Sequence, residues 1–415
     1  MKNDNKFFKG LLSGLCVAGI GIAIFLMLNS SVIFDKTESA NNETGKAQVN
    51  IEEESNSFIN SEVQKKIDEL MATIDNYYLE EINKQDLIEG IYAGLVYGLG
   101  DPYSVYYTKE ELDSFYESAS GRYSGIGATM SQNSETGIVT IVRPFENSPA
   151  AEAGILPGDM LYKVEDEDVV GMDLSVIVAK VKGEEGTIVK LTVVREGVAD
   201  YIDIEVERRE IEVPTITHKM LEDNIGYISI AQFDDVTYAQ FRDALRALEA
   251  LGMEKLIVDV RDNPGGGLRT VSNILDELLP KGLIVYTEDK HGNREEIKSD
   301  ESNQFTKPLA VLVNGNSASA SEIFAGAIQD YGTGTIVGTT TFGKGIVQSL
   351  LELEDGTAVK LTISKYYTPN GRNIHGIGIT PDVVEELADE VKQQVTITVE
   401  EDNQLQKAIE ILKGQ

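Results

Sequence analysis

From Glu62 to about Tyr116 the apolar positions recur with a helical period. Val63, Ile67, Leu70 and Ile74 form one stripe, and Leu87, Ile91 and Leu95 form a second. Gly100-Asp101-Pro102 ends the second helix. Thr108-Lys109-Glu110-Glu111 has the spacing of a capping box and predicts a third. From about Gly121 to Val206 the pattern shortens to strands separated by Gly and Pro. Ile138–Val142, Val189–Val194 and Tyr201–Val206 read as strands, and Leu174–Lys182 as a helix among them. From about Ile211 to Asp382 strands and helices alternate. Strands are expected at Ile225–Ile230, Lys255–Val260 and Leu309–Val313, and helices at Thr237–Leu251, Leu268–Leu279 and Ser321–Tyr331. This alternation predicts an α/β core. Gln404–Leu412 reads as a short amphipathic helix that closes the chain, and no internal repeat is evident.

Ahead of these segments lies an apolar run from about Leu11 to Leu28, extended by Phe7 and Phe8 towards Lys2, Lys6 and Lys9. An uncharged stretch of roughly 18–22 residues spans a bilayer as a single transmembrane helix. Lysines before it and acidic residues after it place the N-terminus in the cytoplasm and the rest outside. A cleaved signal peptide is the competing reading. The length of the apolar core and the lack of a small-x-small site directly after it favour the anchor. Cys16 follows Leu15 and reads as a membrane-helix cysteine. Asp35 to about Asn56 is polar and reads as a solvated linker. The expected organisation is an anchor at 1–34, a linker at 35–59 and a structural or dimerising helical segment at 60–118. A β-rich domain follows at 119–207, an α/β core at 208–384 and a C-terminal segment at 385–415.

Composition narrows the chemistry. The chain has 415 residues, 41% hydrophobic and 25% charged, enough for two or three globular domains. Acidic residues outnumber basic ones 69 to 36, for a net charge of −33, which disfavours a nucleic-acid partner. One cysteine rules out an intramolecular disulfide. The three histidines, His218, His291 and His375, form no cluster with zinc spacing.

Four segments carry candidate chemistry. Asn147-Ser148-Pro149-Ala150-Ala151-Glu152-Ala153-Gly154-Ile155-Leu156-Pro157-Gly158-Asp159 closely resembles the run that marks PDZ domains in bacterial proteases. Gly125-Ile126-Gly127-Ala128 resembles the PDZ carboxylate-binding loop. Its glycines let successive N–H groups converge on an anion, and a peptide C-terminus then adds as a strand. In Asn314-Gly315-Asn316-Ser317-Ala318-Ser319-Ala320-Ser321-Glu322 a strand ends, small residues turn, and a helix begins. A serine there can be a nucleophile served by amides and the helix dipole. Ser317 and Ser321 read as turn and cap residues; local physics does not select Ser319. A serine hydroxyl needs a base. Lys344, flanked by Gly343 and Gly345 with Phe342, Ile346 and Val347 nearby, serves if burial keeps it neutral. In an extended strand Gln348 shares its face and orients the amine. From this window alone a surface lysine in a hairpin is the favoured reading, and His375 in the stretch Gly371–Gly378 is the histidine candidate. Finally, strand Leu256–Val260 runs into Asn263-Pro264-Gly265-Gly266-Gly267. Amides of Gly265 or Gly266, with that of Ala320, suit an oxyanion. A phosphate loop is excluded by the missing Gly-Lys-Ser/Thr ending.

Together, Asp259-x-Arg261-x-Asn263-Pro264-Gly265-Gly266, Ser317-Ala318-Ser319-Ala320-Ser321-Glu322, Gly343-Lys344-Gly345 with Gln348, and the run from Tyr367 to Asp382 resemble the carboxyl-terminal processing peptidases. Ser319 and Lys344 are 25 positions apart and Lys344 and Gln348 four apart, as in that family. The resemblance covers about Glu62 to the end and selects Ser319 over its neighbours. It implies a core resembling the crotonase/ClpP-like fold, an inserted PDZ domain and a serine endopeptidase without metal or cofactor. Ser319 is then the nucleophile, Lys344 the base and Gln348 its orienting partner, with Gly265, Gly266 and Ala320 at the oxyanion. It also implies that Gly125, Ile126, Gly127 and Ala128 bind the C-termini of protein substrates outside the cell membrane. A homodimer is a further expectation. A non-catalytic, membrane-anchored PDZ scaffold and a crotonase-like acyl-CoA enzyme are the competing readings.

Overall fold

A computed structural model describes residues 59–414, apart from 301, 393, 395 and 396. The apolar run at 11–28 and the linker lie outside the described residues. Among those described, no helix is long and apolar enough to cross a membrane. Two compact units account for the described chain. One comprises 115–347 and 364–414, the other 59–114 and 348–363.

The larger unit is built on a six-stranded sheet. Its strands are β1 (Ile216–Met220), β2 (Ile225–Ile230), β3 (Lys255–Asp259), β4 (Leu309–Val313), β5 (Thr335–Gly338) and β6 (Val383–Val384), in that spatial order. β1 and β2 form an antiparallel hairpin, and every later pairing is parallel. The crossovers carry α1 (Thr237–Ala250), α2 (Leu268–Leu278) and α3 (Ala320–Tyr331). A parallel sheet needs cover on both faces, so its central strands are largely buried and apolar rather than alternating. β4 is buried at all five positions. Val258, Val311 and Val313 point into a core shared with Phe241, Leu275 and Phe324 of the three helices. Ile257, Ala310 and Leu312 face the other way, where α4 (Asn403–Lys413) lays Leu405, Ala408 and Leu412 against them.

The same unit holds a second, smaller core. Five antiparallel strands run in the order Ala128–Gln132, Val139–Pro144, Met160–Val164, Ile188–Val194 and Ile202–Glu207. Helix Leu174–Val181 buries Ile177 and Val181 in the same core. Ser148 caps the short helix Pro149–Glu152 by accepting from the Ala151 N–H, with Pro149 at the first helical position. Asp159 is fully buried but holds Arg195 through two 2.7 Å bonds, which explains the acidic residue after Pro157-Gly158. Two chain passages join this domain to the sheet as a ribbon, Arg122–Gly125 against Arg209–Glu212.

The smaller unit contains helices Ser61–Tyr77 and Lys84–Tyr97 and the strand Val105–Tyr107, which pairs antiparallel with 358–360. A third helix starts at Lys109 with the expected capping box. Glu111 Oε2 accepts from the Thr108 N–H at 2.9 Å, and Thr108 Oγ1 accepts from the Glu111 N–H at 3.3 Å. A buried lysine, Lys360, donates to the Tyr107 hydroxyl at 2.9 Å.

Candidate active site

The site is assembled at the C-terminal ends of β3 and β4, where the chain leaves the parallel sheet in two glycine-bearing turns. After β4, residues 314–319 turn back into α3. Ser317 and Ser321 are fully buried, and their hydroxyls donate to the carbonyls of Val260 at 2.7 Å and Asn263 at 2.8 Å. These two serines therefore fasten one turn to the other. Ser319 sits between them at the mouth of α3 with φ 53° and ψ −112°, a conformation that a side chain rarely adopts. Strain of this kind persists only where the surroundings over-determine it. Here the surroundings are tight: the Tyr366 hydroxyl donates to the Ser319 carbonyl at 3.0 Å, and Ser319 is 9% exposed.

After β3, Asn263 organises the other turn. Its amide donates to the Ile230 carbonyl and its Oδ1 accepts from the Gly265 N–H, both at 2.8 Å. Gly265 and Gly266 have φ of 114° and 142°, open to glycine alone. Contact forbids a side chain as well. A Cβ on Gly265 would lie 2.8 Å from the Ser319 Cβ and 3.1 Å from the Ala320 nitrogen. The two turns thus meet at Gly265, Ser319 and Ala320. Of the three expected oxyanion amides, that of Gly265 is already engaged by Asn263. Those of Gly266 and Ala320 carry no hydrogen bond among the described residues.

Lys344 arrives on the irregular segment 341–345. The strand that follows begins at Ile346. Lys344 is 2% exposed, and Ile346 and Val347 are buried, but Phe342 is 56% exposed. Phe342 therefore supplies no part of the apolar surroundings expected of it, because its backbone N–H is drawn down to the Ser317 carbonyl. Gly343 and Gly345 lie against the loop 375–378; a Cβ on Gly345 would be 2.5 Å from the His375 nitrogen. His375 contributes this main-chain contact, and its residue is exposed.

The group that gathers the site is Glu322, in the first turn of α3. Its carboxylate is fully buried. Oε2 accepts from the Ser319 N–H at 2.9 Å and the Lys344 N–H at 2.8 Å. Oε1 accepts from the Thr341 hydroxyl at 2.6 Å and the Gly343 N–H at 2.7 Å. One carboxylate oxygen thus joins the main chain at Ser319 to the main chain at Lys344. Burial pushes the Glu322 carboxyl upward, and these four donors pull against it. Glu322 stood within the serine motif, but sequence reasoning gave it no role; an acidic residue in an otherwise apolar helix start was the available signal. Tyr366 and Asn263 were missed in the same way.

Gln348 lies on the strand Ile346–Glu352, buried, with its amide donating to Thr362 Oγ1 at 3.3 Å. Gly125, Ile126, Gly127 and Ala128 form the loop before the edge strand Ala128–Gln132. Ile126 buries its side chain and accepts from the Ala150 N–H at 2.8 Å.

Comparison with known proteins finds three matching segments. Residues 224–385 match the peptidase family S41, 140–195 a PDZ domain, and 20–111 the N-terminal domain of the activating protease CtpB. The chain is 36% identical to the carboxy-terminal processing protease CtpA of Bacillus subtilis over 94% of its own length and 79% of the relative. It is 37% identical to CtpB of the same organism, over 77% of this chain and 67% of that one. A probable CtpA-like serine protease of Staphylococcus haemolyticus is 40% identical over 77% of this chain and 64% of its own. At this identity and coverage the chain belongs with these relatives to the S41 family of carboxy-terminal processing serine proteases.

Proposed function

We propose that this chain is a serine endopeptidase that cleaves extracytoplasmic proteins near their C-termini, with Ser319 as nucleophile and Lys344 as its base. The observation that carries this reading is the shared Glu322 oxygen, which ties the Ser319 and Lys344 main chains to one point. Lys344 is 2% exposed, and a lysine serves as a general base in its neutral amine form. Neutral Lys344 takes the Ser319 proton, and the alkoxide adds to the scissile carbonyl. The Gly266 and Ala320 amides receive the oxyanion, while Gly265 leaves room for it. Lys344 then returns the proton to the leaving amine, and water, activated by the same amine, releases the acyl group. Gln348 orients the Lys344 amine. The apolar run at 11–28 anchors the chain in the cell membrane with the N-terminus in the cytoplasm and the catalytic part outside. The core is of the crotonase type, the loop Gly125–Ala128 receives substrate C-termini, and a second copy covers the exposed helical segment.

The test is turnover of an unstructured protein with an apolar C-terminus by the full chain in detergent. Ser319→Ala and Lys344→Ala should each lower kcat/KM by about a thousandfold or more. Undiminished cleavage by either variant sinks the dyad. Binding of C-termini without any cleavage would favour the PDZ scaffold.

A further inference from the structure

A cavity of about 340 Å³ opens beside α1, away from the catalytic turns. Tyr238, Arg242, Arg246 and Glu249 line it from one face of that helix. Glu277 reaches it from the last turn of α2, and the segment 303–307, which leads into β4, adds Lys307. The cavity therefore lies where β4 begins, whereas Ser319 follows the other end of that strand. The 5 residues of β4 separate the two, at roughly 3.3 Å of rise for each.

The lining carries charges of both signs, and several are already engaged. Lys307 donates to the Met253 carbonyl at 2.8 Å and stands 4.0 Å from Glu249. Arg246 stands 4.0 Å from Asp243, on the exposed side of α1. Arg242 is different. Its Nε–H is shielded from solvent and has no hydrogen-bond partner among the described residues. Its guanidinium carbon lies 5.5 Å from the centroid of the Tyr238 ring. The Tyr238 hydroxyl in turn donates to Glu277 Oε1 at 2.7 Å, and Glu277 is 9% exposed. That hydroxyl feels both neighbours. The bond to Glu277 and then burial push the phenol upward, and Arg242 pulls it down.

A shielded N–H without an acceptor is unfavourable. The Nε edge of a guanidinium is also half of the fork that fits a carboxylate. Across the Tyr238 ring, Glu277 offers an acceptor to a cation. A purely anionic ligand would meet Glu277 and Glu249, and a purely cationic one would meet Arg242. A molecule with one charge of each sign meets neither obstacle. Asn303, Gln304 and Thr306 add uncharged donors and acceptors for the atoms between those charges.

We propose that this cavity binds a zwitterion, a free amino acid or short polar peptide, with its carboxylate on Arg242 and its ammonium on Glu277. The site shares no residue with the catalytic turns, so the inference does not depend on the roles given to Ser319 and Lys344.

The experiment is calorimetric titration of the full chain in detergent, carrying Ser319→Ala so that no probe is cut. The probes are free serine and the tripeptide Gly-Ser-Gly, the latter also with its N-terminus acetylated or its C-terminus amidated. At least one free probe should bind with a Kd of about 1 mM or tighter. Capping either end of the tripeptide should weaken it about tenfold. Arg242→Gln should bind the tripeptide and its amide equally, and Arg242→Lys should restore part of the difference. Glu277→Gln should bind the tripeptide and its acetylated form equally. Tighter binding of serine supports a free amino acid as the ligand, and tighter binding of the tripeptide supports a peptide. The need for a free ammonium separates this site from the loop Gly125–Ala128, where a carboxylate alone would suffice. No heat from either free probe at about 10 mM overturns the proposal, as does equal binding of free and capped forms. A preference for the free acid that survives Arg242→Gln overturns it too. So does inorganic phosphate bound through Arg242 with no response to Glu277→Gln, which would mean a plain anion site. An unchanged Tm establishes that each variant is folded, and the comparison of free with capped probes needs no variant of the cavity.

Discussion

At the scale of single residues, Glu322 matters more than its position outside the proposed proton transfer suggests. A fully buried carboxylate is costly unless donors surround it, and here four do. Glu322→Gln keeps the shape but turns an amide NH2 towards at least one N–H or hydroxyl. We expect a stability loss on the order of 2–3 kcal/mol, and a kcat reduced at least about tenfold with a smaller change in KM. Full activity in a folded Glu322→Gln variant would refute the positioning role. Asp234 offers a pH test. It is buried where the chain passes Gly121, and burial pushes its carboxyl up to about 7. The folded state therefore holds a proton that the unfolded state, titrating near 4, has released. Stability from this group is greatest near pH 4 and is lost as pH rises to about 7, by up to roughly 4 kcal/mol. Asp234→Asn should flatten that slope in urea titrations between pH 4 and 8 and raise stability at pH 8; an unchanged slope would refute it. The turn that carries the candidate serine was legible as small residues between a strand and a helix, but only the family resemblance selected Ser319 within it and paired it with Lys344. The engagement of the Gly265 N–H by Asn263 was not legible, because a side-chain bond across two residues leaves no periodic trace. Nor was the outward turn of Phe342, since an apolar residue looks the same in sequence whichever way its backbone is pulled.

At the scale of elements, the alternation of strands and helices from 225 to 331 was readable almost to the residue. Leu309–Val313, an uninterrupted apolar run, and Ile225–Ile230 stand where the sequence predicted strands. The hairpin of Gly282–Asp289 and Arg294–Ser299 was silent, because its second strand is mostly exposed and highly charged. The ribbon Arg122–Gly125 was silent because its pairing is carried by main chain. The C-terminal helix was predicted, but not what fastens it. Arg261 donates to Asp259 and Asp402, and also to Gln404. Asp402 at the same time caps α4 through the Leu405 N–H. This cluster is nearly dry, so removing Asp402 leaves the Arg261 guanidinium with fewer partners, Asp259 and Gln404 alone. Asp402→Ala should destabilise the chain by about 3 kcal/mol in urea unfolding. It should also loosen the turn after β3, which begins at Arg261, and lower kcat. A loss below about 0.5 kcal/mol would mean that the clamp is ornamental.

At the scale of the molecule, the helices of the smaller unit pose a problem of burial. Ser61–Tyr77 has the periodic stripe read from the sequence, yet none of its residues is buried, and Lys84–Tyr97 buries only Val96. Leu70, Tyr77, Leu79, Leu95, Tyr97 and Leu99 are all more than half exposed. An exposed apolar face of this kind marks a surface for a partner, which under the proposed reading is a second copy. Electrostatics opposes casual association, since copies carrying a net charge of −33 repel one another. A specific apolar contact is then needed to bring two together, and these helices present the place for it. The chain should sediment as a dimer in detergent at about 10 µM, more firmly as added salt screens the repulsion. Leu79→Glu together with Tyr97→Glu should give a monomer with unchanged helical content. If the parent chain is monomeric at that concentration in both low and high salt, the second copy is excluded and the stripe must face something else.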